Sequence, residues 1–180
     1  IQQNLEAWKL YIKIVIEYGM LSEDKFFDKS EKFALYPSVD GKFYTYEELY
    51  NKIKAKQTDK DDKLIILYAS DKEAQHSYIE NAKAKGYEIL LLDSPIVSHL
   101  IQKLESSKEK ISFARVDSDH IDSLINKDDS KVSKLNEEQK TNLESVLKEV
   151  IPDEKYTIKL ESLDGKDDPF TITTPEFMRR

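Results

Sequence analysis

The chain contains no cysteine. Disulfides, thiolate nucleophiles and cysteine metal ligands are therefore excluded, and the composition fits a reducing compartment. There are only four glycines, Gly19, Gly41, Gly86 and Gly165. Each falls at a predicted turn or helix end, so none is left to form a phosphate-cradling loop. No apolar run is long enough to span a bilayer. No signal-peptide pattern is visible at the amino terminus, which is amphipathic and lacks a cleavage motif. Positive charge is also short: 28 Lys and Arg stand against 35 Asp and Glu, a net charge of -7. Nucleic acid and anionic membranes would be repelled, so neither is an expected partner.

What is present is a 180-residue chain, 39% hydrophobic and 35% charged, with its apolar residues in periodic clusters. Its centre is the stretch from Lys63 to Asp93. Leu64 to Ala69 is an unbroken apolar run, and Ile89 to Leu92 is a second. Between them lies a segment of helical spacing that stops at Gly86. Strands without a polar face must be covered on both sides, and two of them joined by a helix predict a parallel β-α-β unit. Ser94-Pro95 predicts the cap and first position of the next helix, with Leu100, Ile101 and Leu104 on its apolar face. Ile111 to Val116 predicts a third strand. The fold class expected is α/β: a helical coil, a small three-layer α/β/α subdomain with a parallel sheet, then a helix and a β-hairpin.

The flanks read as follows. Leu5, Trp8, Ile12, Val15 and Ile16 lie on one helical stripe, with Trp8 in the core and Gly19 ending the helix. Ser22 is the expected N-cap of a second helix running to about Phe33. Leu35 to Tyr44 is a connector with a turn at Asp40-Gly41. Thr45 with Glu48 forms a capping box for a helix to about Lys56. Gln57 to Lys63 is polar and predicts an exposed linker. Ser70 with Glu73 predicts another capping box. Asp117 to Lys134 predicts a solvated acidic segment. Leu143, Val146, Leu147 and Val150 form one stripe of a further helix ending at Pro152-Asp153. Tyr156, Ile158 and Leu160 alternate, as do Phe170 and Ile172, and Asp164-Gly165 lies between them, which predicts an antiparallel hairpin.

A search for chemistry finds little. The turn after the first strand holds Asp71 and Glu73 and no glycine, so it would repel a pyrophosphate. His76, His99 and His120 fall in three separate segments, without metal-ligand spacing. The run from Asp117 to Asp122 resembles a calcium loop but lacks its glycine and places the third acid one position late. No serine sits in a nucleophile elbow. Asp93, at a strand end, supports one alternative: a small doubly wound enzyme or phospho-receiver-like domain. That reading needs a neighbouring acid pair, and only Asp71 is a candidate partner. Catalytic, cofactor and metal residues are therefore none, and the chain reads as a binding or structural piece. A scaffold module without a binding role is a further possibility.

Several segments, in order, resemble the ninety-kilodalton heat-shock chaperones in their bacterial HtpG form. Glu17-Tyr18-Gly19-Met20-Leu21-Ser22-Glu23-Asp24-Lys25-Phe26 is similar to a helical segment of their middle region. Lys42 to Leu49 resembles the turn into the following helix. Leu67 to Ala74 and Gly86 to Leu92 resemble two strands with their turns. Pro175-Glu176-Phe177-Met178-Arg179-Arg180 is similar to the entry of an amphipathic C-terminal helix. The resemblance spans nearly the whole chain and rests on the order of the pieces. It implies residues 1–57 as a helical segment of the middle domain, 58–128 as its small α/β/α subdomain, and 129–180 as the start of a C-terminal domain.

The resemblance further implies a piece of a longer, cytoplasmic, ATP-dependent chaperone that binds partly folded client proteins. The ATP and magnesium site and a phosphate-reaching arginine would lie upstream of Ile1, and the homodimer-forming helices beyond Arg180. Two client surfaces are implied: Ser98, His99 and Gln102 on the helix after Ser94-Pro95, and the apolar pair Phe177 and Met178. The family more often carries an acid and then an aromatic where Ser98 and His99 stand.

Overall fold

The computed structural model describes residues 13–125, 135–151, 155–162 and 169–175. The chain divides into two compact units, one of residues 1–127 with 172–180 and one of residues 128–171.

The first unit is built on strand β3, Leu64–Ala69, whose six residues are all buried. β3 is the middle strand of a parallel sheet, flanked by β4 (Ile89–Leu91) and β5 (Ile111–Arg115). Leu67 lies opposite Ile89, and Leu64 opposite Ile111. Side chains alternate across a strand, so the sheet feeds two cores. Leu64, Ile66 and Tyr68 point to one side, where α5 (Val97–Ser107) brings Leu100, Ile101 and Leu104. Ile65, Leu67 and Ala69 point to the other. There α4 (His76–Ala84) brings Ile79 and Ala82, and α6 (Ile121–Ile125) brings Ile121 and Ile125. Each buried Leu or Ile side chain among them contributes roughly 1.5–3 kcal/mol by leaving water. The three-layer α/β/α arrangement expected from the apolar runs is present.

The helical lead-in shares the first of these cores. Helix α1 covers residues 13–22, α2 is Asp24–Ser30 and α3 is Tyr46–Ile53. Met20, Phe27, Leu49 and Ile53 are buried in the same cluster as Ile66 and Leu104. The Thr45 box is formed: its Oγ accepts from the Glu48 amide, and the Glu48 carboxylate accepts from the Thr45 amide.

Local structure departs from expectation in several places. Gly19 does not end α1; the helix runs on to residue 22, and the Glu23 amide still donates to the Gly19 carbonyl. A Cβ at Gly19 would stand 2.6 Å from the Phe26 ring, so its smallness serves packing. Ser22 is not the cap of α2. Its hydroxyl donates back to the Tyr18 carbonyl, and Glu23 occupies the cap position without a side-chain bond. The connector after Leu35 contains a short antiparallel pair, β1 (Tyr36–Pro37) and β2 (Phe43–Tyr44). It turns at Gly41, whose φ of 76° favours glycine.

The polar stretch at Gln57 is a packed turn. Gln57 is 1% exposed. Its Nε2 donates to the Ile65 carbonyl at 3.0 Å, and its Oε1 accepts from the Glu88 amide at 2.7 Å. Ser70 and Glu73 form no capping box. Asp71 accepts from the Glu73 and Ala74 amides instead, and buried Gln75 accepts from the Ser70 and Asp71 amides, delaying α4 to His76. Ser94-Pro95 likewise precedes α5 by a turn; the helix begins at Val97. The acidic segment is not wholly solvated: Asp117 is buried against Arg115, and α6 lies within it.

The same unit takes in residues 172–175. The Thr174 amide donates to the Asp117 carbonyl at 3.0 Å, and the Tyr78 hydroxyl donates to the Ile172 carbonyl. In the second unit, α7 (Glu137–Val150) opens with a capping box of Asn136 and Gln139. None of its residues is buried. The expected hairpin is not found: among the described residues 155–162 and 169–175, no strand forms. Tyr156, Phe170 and Ile172 are exposed while Ile158 and Leu160 are half-buried, and a two-stranded hairpin alone is marginal in water. Leu5, Trp8, Ile12, Pro152-Asp153 and Asp164-Gly165 lie outside the described residues.

Candidate functional site

The candidate client surface is the outer face of α5. Leu100, Ile101 and Leu104 take one side of the helix into the sheet, and the 3.6-residue period then directs Ser98, His99 and Gln102 outward. All three are exposed. They form a polar strip on a firmly anchored helix. The helix is tied sideways to α2: Lys103 meets Asp24 at 2.6 Å, and Lys108 meets Glu31 at 3.0 Å. The Lys103 ammonium also lies 5.3 Å above the Phe27 ring. The hydrogen bond from Lys103, with its charge, holds the Asp24 carboxyl below its ordinary range. Phe177 and Met178, the second expected surface, lie outside the described residues.

At the head of α5 the structure gathers residues that the sequence leaves far apart. Lys13 of α1 bonds Asp93 at 2.6 Å and lies 4.0 Å from Glu17. Glu17 is buried, and its Oε2 has no hydrogen-bond partner. Burial raises its pKa, opposed by a hydrogen bond with Ser94 and by the Lys13 charge. Burial likewise raises the Tyr36 hydroxyl, helped by the nearby Glu31 charge. Asp93 itself is half exposed and faces a lysine, not the acid pair that a phospho-receiver needs.

An open cleft of about 590 Å³ lies at the opening ends of β3 and β5, lined by Tyr46, Tyr50, Lys54, Asp62 and Lys110. Thr58 and Glu109 also line it, and the Thr58 hydroxyl donates to the Lys54 carbonyl at 2.6 Å. Among the described residues no group of three or more acids and histidines is arranged to hold a metal. None of the described helices is long and apolar enough to cross a membrane. The α5 strip presents exposed polar side chains on a helix whose other side is packed in the core. Sequence reasoning missed the Lys13–Glu17–Asp93 group, because pairing across eighty positions leaves no local pattern.

Comparison with known proteins gives the family. The chain is 44% identical to a chaperone protein HtpG of Bacteroides fragilis over 178 residues, 97% of this chain. It is 42% identical to the HtpG of Bacteroides thetaiotaomicron over 99% of this chain, and 39% identical to that of Porphyromonas gingivalis over 97%. A solved middle domain of a Plasmodium falciparum heat shock protein aligns with 58% of this chain and 43% of its own at a TM-score of 0.44 and 20% identity. The chain matches no family model. Along nearly all its length the chain is similar to a stretch of these chaperone sequences. Specifically, it belongs to the HtpG family of heat-shock chaperones. It spans about a quarter of the curated relatives' length, 26% of the Bacteroides fragilis protein.

Proposed function

We propose that this chain is a non-catalytic segment of an ATP-dependent, cytoplasmic chaperone, and that it presents surface to partly folded client proteins. The observation that carries the reading is the 44% identity to a chaperone protein over 97% of the chain. The geometry supports it: α5 holds Ser98, His99 and Gln102 outward over a sheet whose central strand is fully buried. In this reading ATP and magnesium bind, and the homodimer closes, through parts of the protein outside this chain. The division at residues 57 and 128 is then the family's division of labour, with the helical segment and the small α/β/α part together supplying rigid geometry.

Two measurements test it. ATP added to this chain gives no saturable hydrolysis; turnover that saturates contradicts the non-catalytic assignment. In the full-length protein, Ser98→Glu with His99→Glu and Gln102→Glu weakens capture of a permanently unfolded client, with helix content unchanged by circular dichroism. Unaltered client affinity in the folded triple variant contradicts a role for α5. Equivalent charges at Phe177 and Met178 test the second surface in the same assay.

A further inference from the structure

The cleft at the opening ends of β3 and β5 is built from three parts. Its floor is Leu64 and Ile111, both buried. One wall comes from α3, which sets Tyr46, Tyr50 and Lys54 four residues apart and so on one face. The other comes from Asp62, ahead of β3, and from Glu109 and Lys110, ahead of β5. The Leu64 amide donates to the Lys110 carbonyl at 2.8 Å, which fixes the two strand openings together. The volume, about 590 Å³, lies in the range of sites that take small ligands or single side chains.

The walls are open to solvent. Tyr50 is 43% exposed, and Lys54, Asp62, Glu109 and Lys110 are exposed. The rings of Tyr46 and Tyr50 lie 6.4 Å apart at 35°. The Lys108 ammonium, held by Glu31, stands 4.1 Å from the centre of the Tyr46 ring and covers it. Tyr50 is the more accessible of the two.

Charges around the cleft are unevenly partnered. Asp62 and Lys110 pair at 3.8 Å. Lys54 donates to a neutral acceptor, Asn51 Oδ1, at 3.2 Å, and neither Lys54 nor Glu109 has an ion-pair partner among the described residues. By contrast, Lys13, Lys103 and Lys108 each hold a carboxylate at 2.6–3.0 Å. A spare cation on α3 and a spare anion ahead of β5 thus flank an accessible aromatic ring. Asp62 and Lys110 are also the two non-glycine residues of positive φ among the described residues, at 62° and 57°. Such backbone is unfavourable for residues with a Cβ and collects where ligands are clamped.

We propose that this cleft takes an aromatic side chain from an extended stretch of a partly folded protein, with an acidic neighbour meeting Lys54 and a basic neighbour meeting Glu109. The occupant follows from the family and from the lining. The relatives are chaperones, and a partly folded chain differs from a folded one in exposing aromatic side chains that folding buries. The incoming ring packs on Tyr50 above Leu64 and Ile111, and the flanking charges select which aromatic residues enter. The site is separate from the outward strip of α5. It rests on the client-binding reading and adds a sequence preference to it.

The test titrates end-blocked Gly-Asp-Phe-Lys-Gly into the chain and follows the amide resonances of Tyr50, Lys54 and Glu109. These resonances shift together and saturate. Replacing the peptide's Phe by Ala, or Tyr50 by Ala in the protein, weakens binding about tenfold. Lys54→Glu turns the preference to Lys-Phe-Lys, and Glu109→Lys turns it to Asp-Phe-Asp; both positions are exposed, so the fold is kept. Equal binding of the Phe and Ala peptides overturns the proposal, as does a preference that neither charge reversal moves. Free phenylalanine binding as tightly as the peptide also overturns it, giving the cleft to a small molecule. A peptide that leaves the cleft unshifted, while the α5 triple variant still loses client capture, overturns this site and leaves the client reading standing.

Discussion

Helices α5 and α7 carry the same pattern, apolar residues at steps of three and four, and the structure treats them in opposite ways. In α5, Leu100 and Leu104 are 3% and 2% exposed. In α7, Val146 and Val150 are 59% and 78% exposed. Both helices are amphipathic, and α7 even has the better cap, since α5 begins without a side-chain bond. The difference lies in what surrounds them. α5 lies on a sheet whose central strand is buried along its whole length, whereas the described residues of the second unit offer α7 no comparable face. Periodicity reports which side of a helix can be buried; the neighbours decide whether it is.

The strongest way to break this comparison is to truncate equivalent side chains. Leu104→Ala is expected to cost about 2–5 kcal/mol in urea unfolding of the first unit, because it opens a cavity beside β3 and β5. Val150→Ala is expected to change stability by less than about 0.5 kcal/mol, as at other exposed positions. Comparable losses would show that α7 is packed after all.

Gln57→Ala comes next. It leaves the Ile65 carbonyl and the Glu88 amide without their buried partner, at an expected cost of about 2–3 kcal/mol. A near-neutral result would return the segment to the loose linker that its polarity suggests.

Smaller again are the two caps. Thr45→Ala and Asn136→Ala each remove one N-cap bond, worth about 1 kcal/mol. The first should lower the midpoint of the first unit's cooperative unfolding. The second should accelerate hydrogen exchange in the opening turn of α7 and leave that midpoint in place.

The finest effect is one of pH. Burial raises the Glu17 pKa above its ordinary 4.5. A carboxyl raised in the folded state contributes stability below its unfolded pKa and loses it as pH rises through the folded value. Glu17→Gln should therefore gain on wild type as pH climbs from about 4.5 toward neutrality. A difference constant across that range would show that Lys13 and Ser94 offset the burial.

Local signals read well where a segment carries its own reason for its structure. Leu64–Ala69 was legible to the residue because an unbroken apolar run has few alternatives. The Thr45 box and the buried stripe of α5 were legible for the same reason. Where the partner lies far away, the sequence was silent or misleading. β1 and β2 are two residues each, too short to show alternation. Gln57 looks like a surface residue until Ile65 and Glu88 close around it. Ser70 and Glu73 match a capping box, yet Asp71 and Gln75 take the turn's amides first. The outward positions Ser98, His99 and Gln102 follow directly from the period of α5. Glu105, which accepts from the Phe113 amide, has no such signature, because its partner belongs to the next strand.

The central claim is that the helical lead-in and the sheet form one rigid support that carries α5. Native-state hydrogen exchange tests this most directly. Amides of Ile53 in α3, Ile66 in β3 and Leu104 in α5 should open together, with one free energy and one denaturant dependence, because their side chains share a core. Opening of α1 to α3 at distinctly lower free energy, with β3 and α5 still protected, would contradict it.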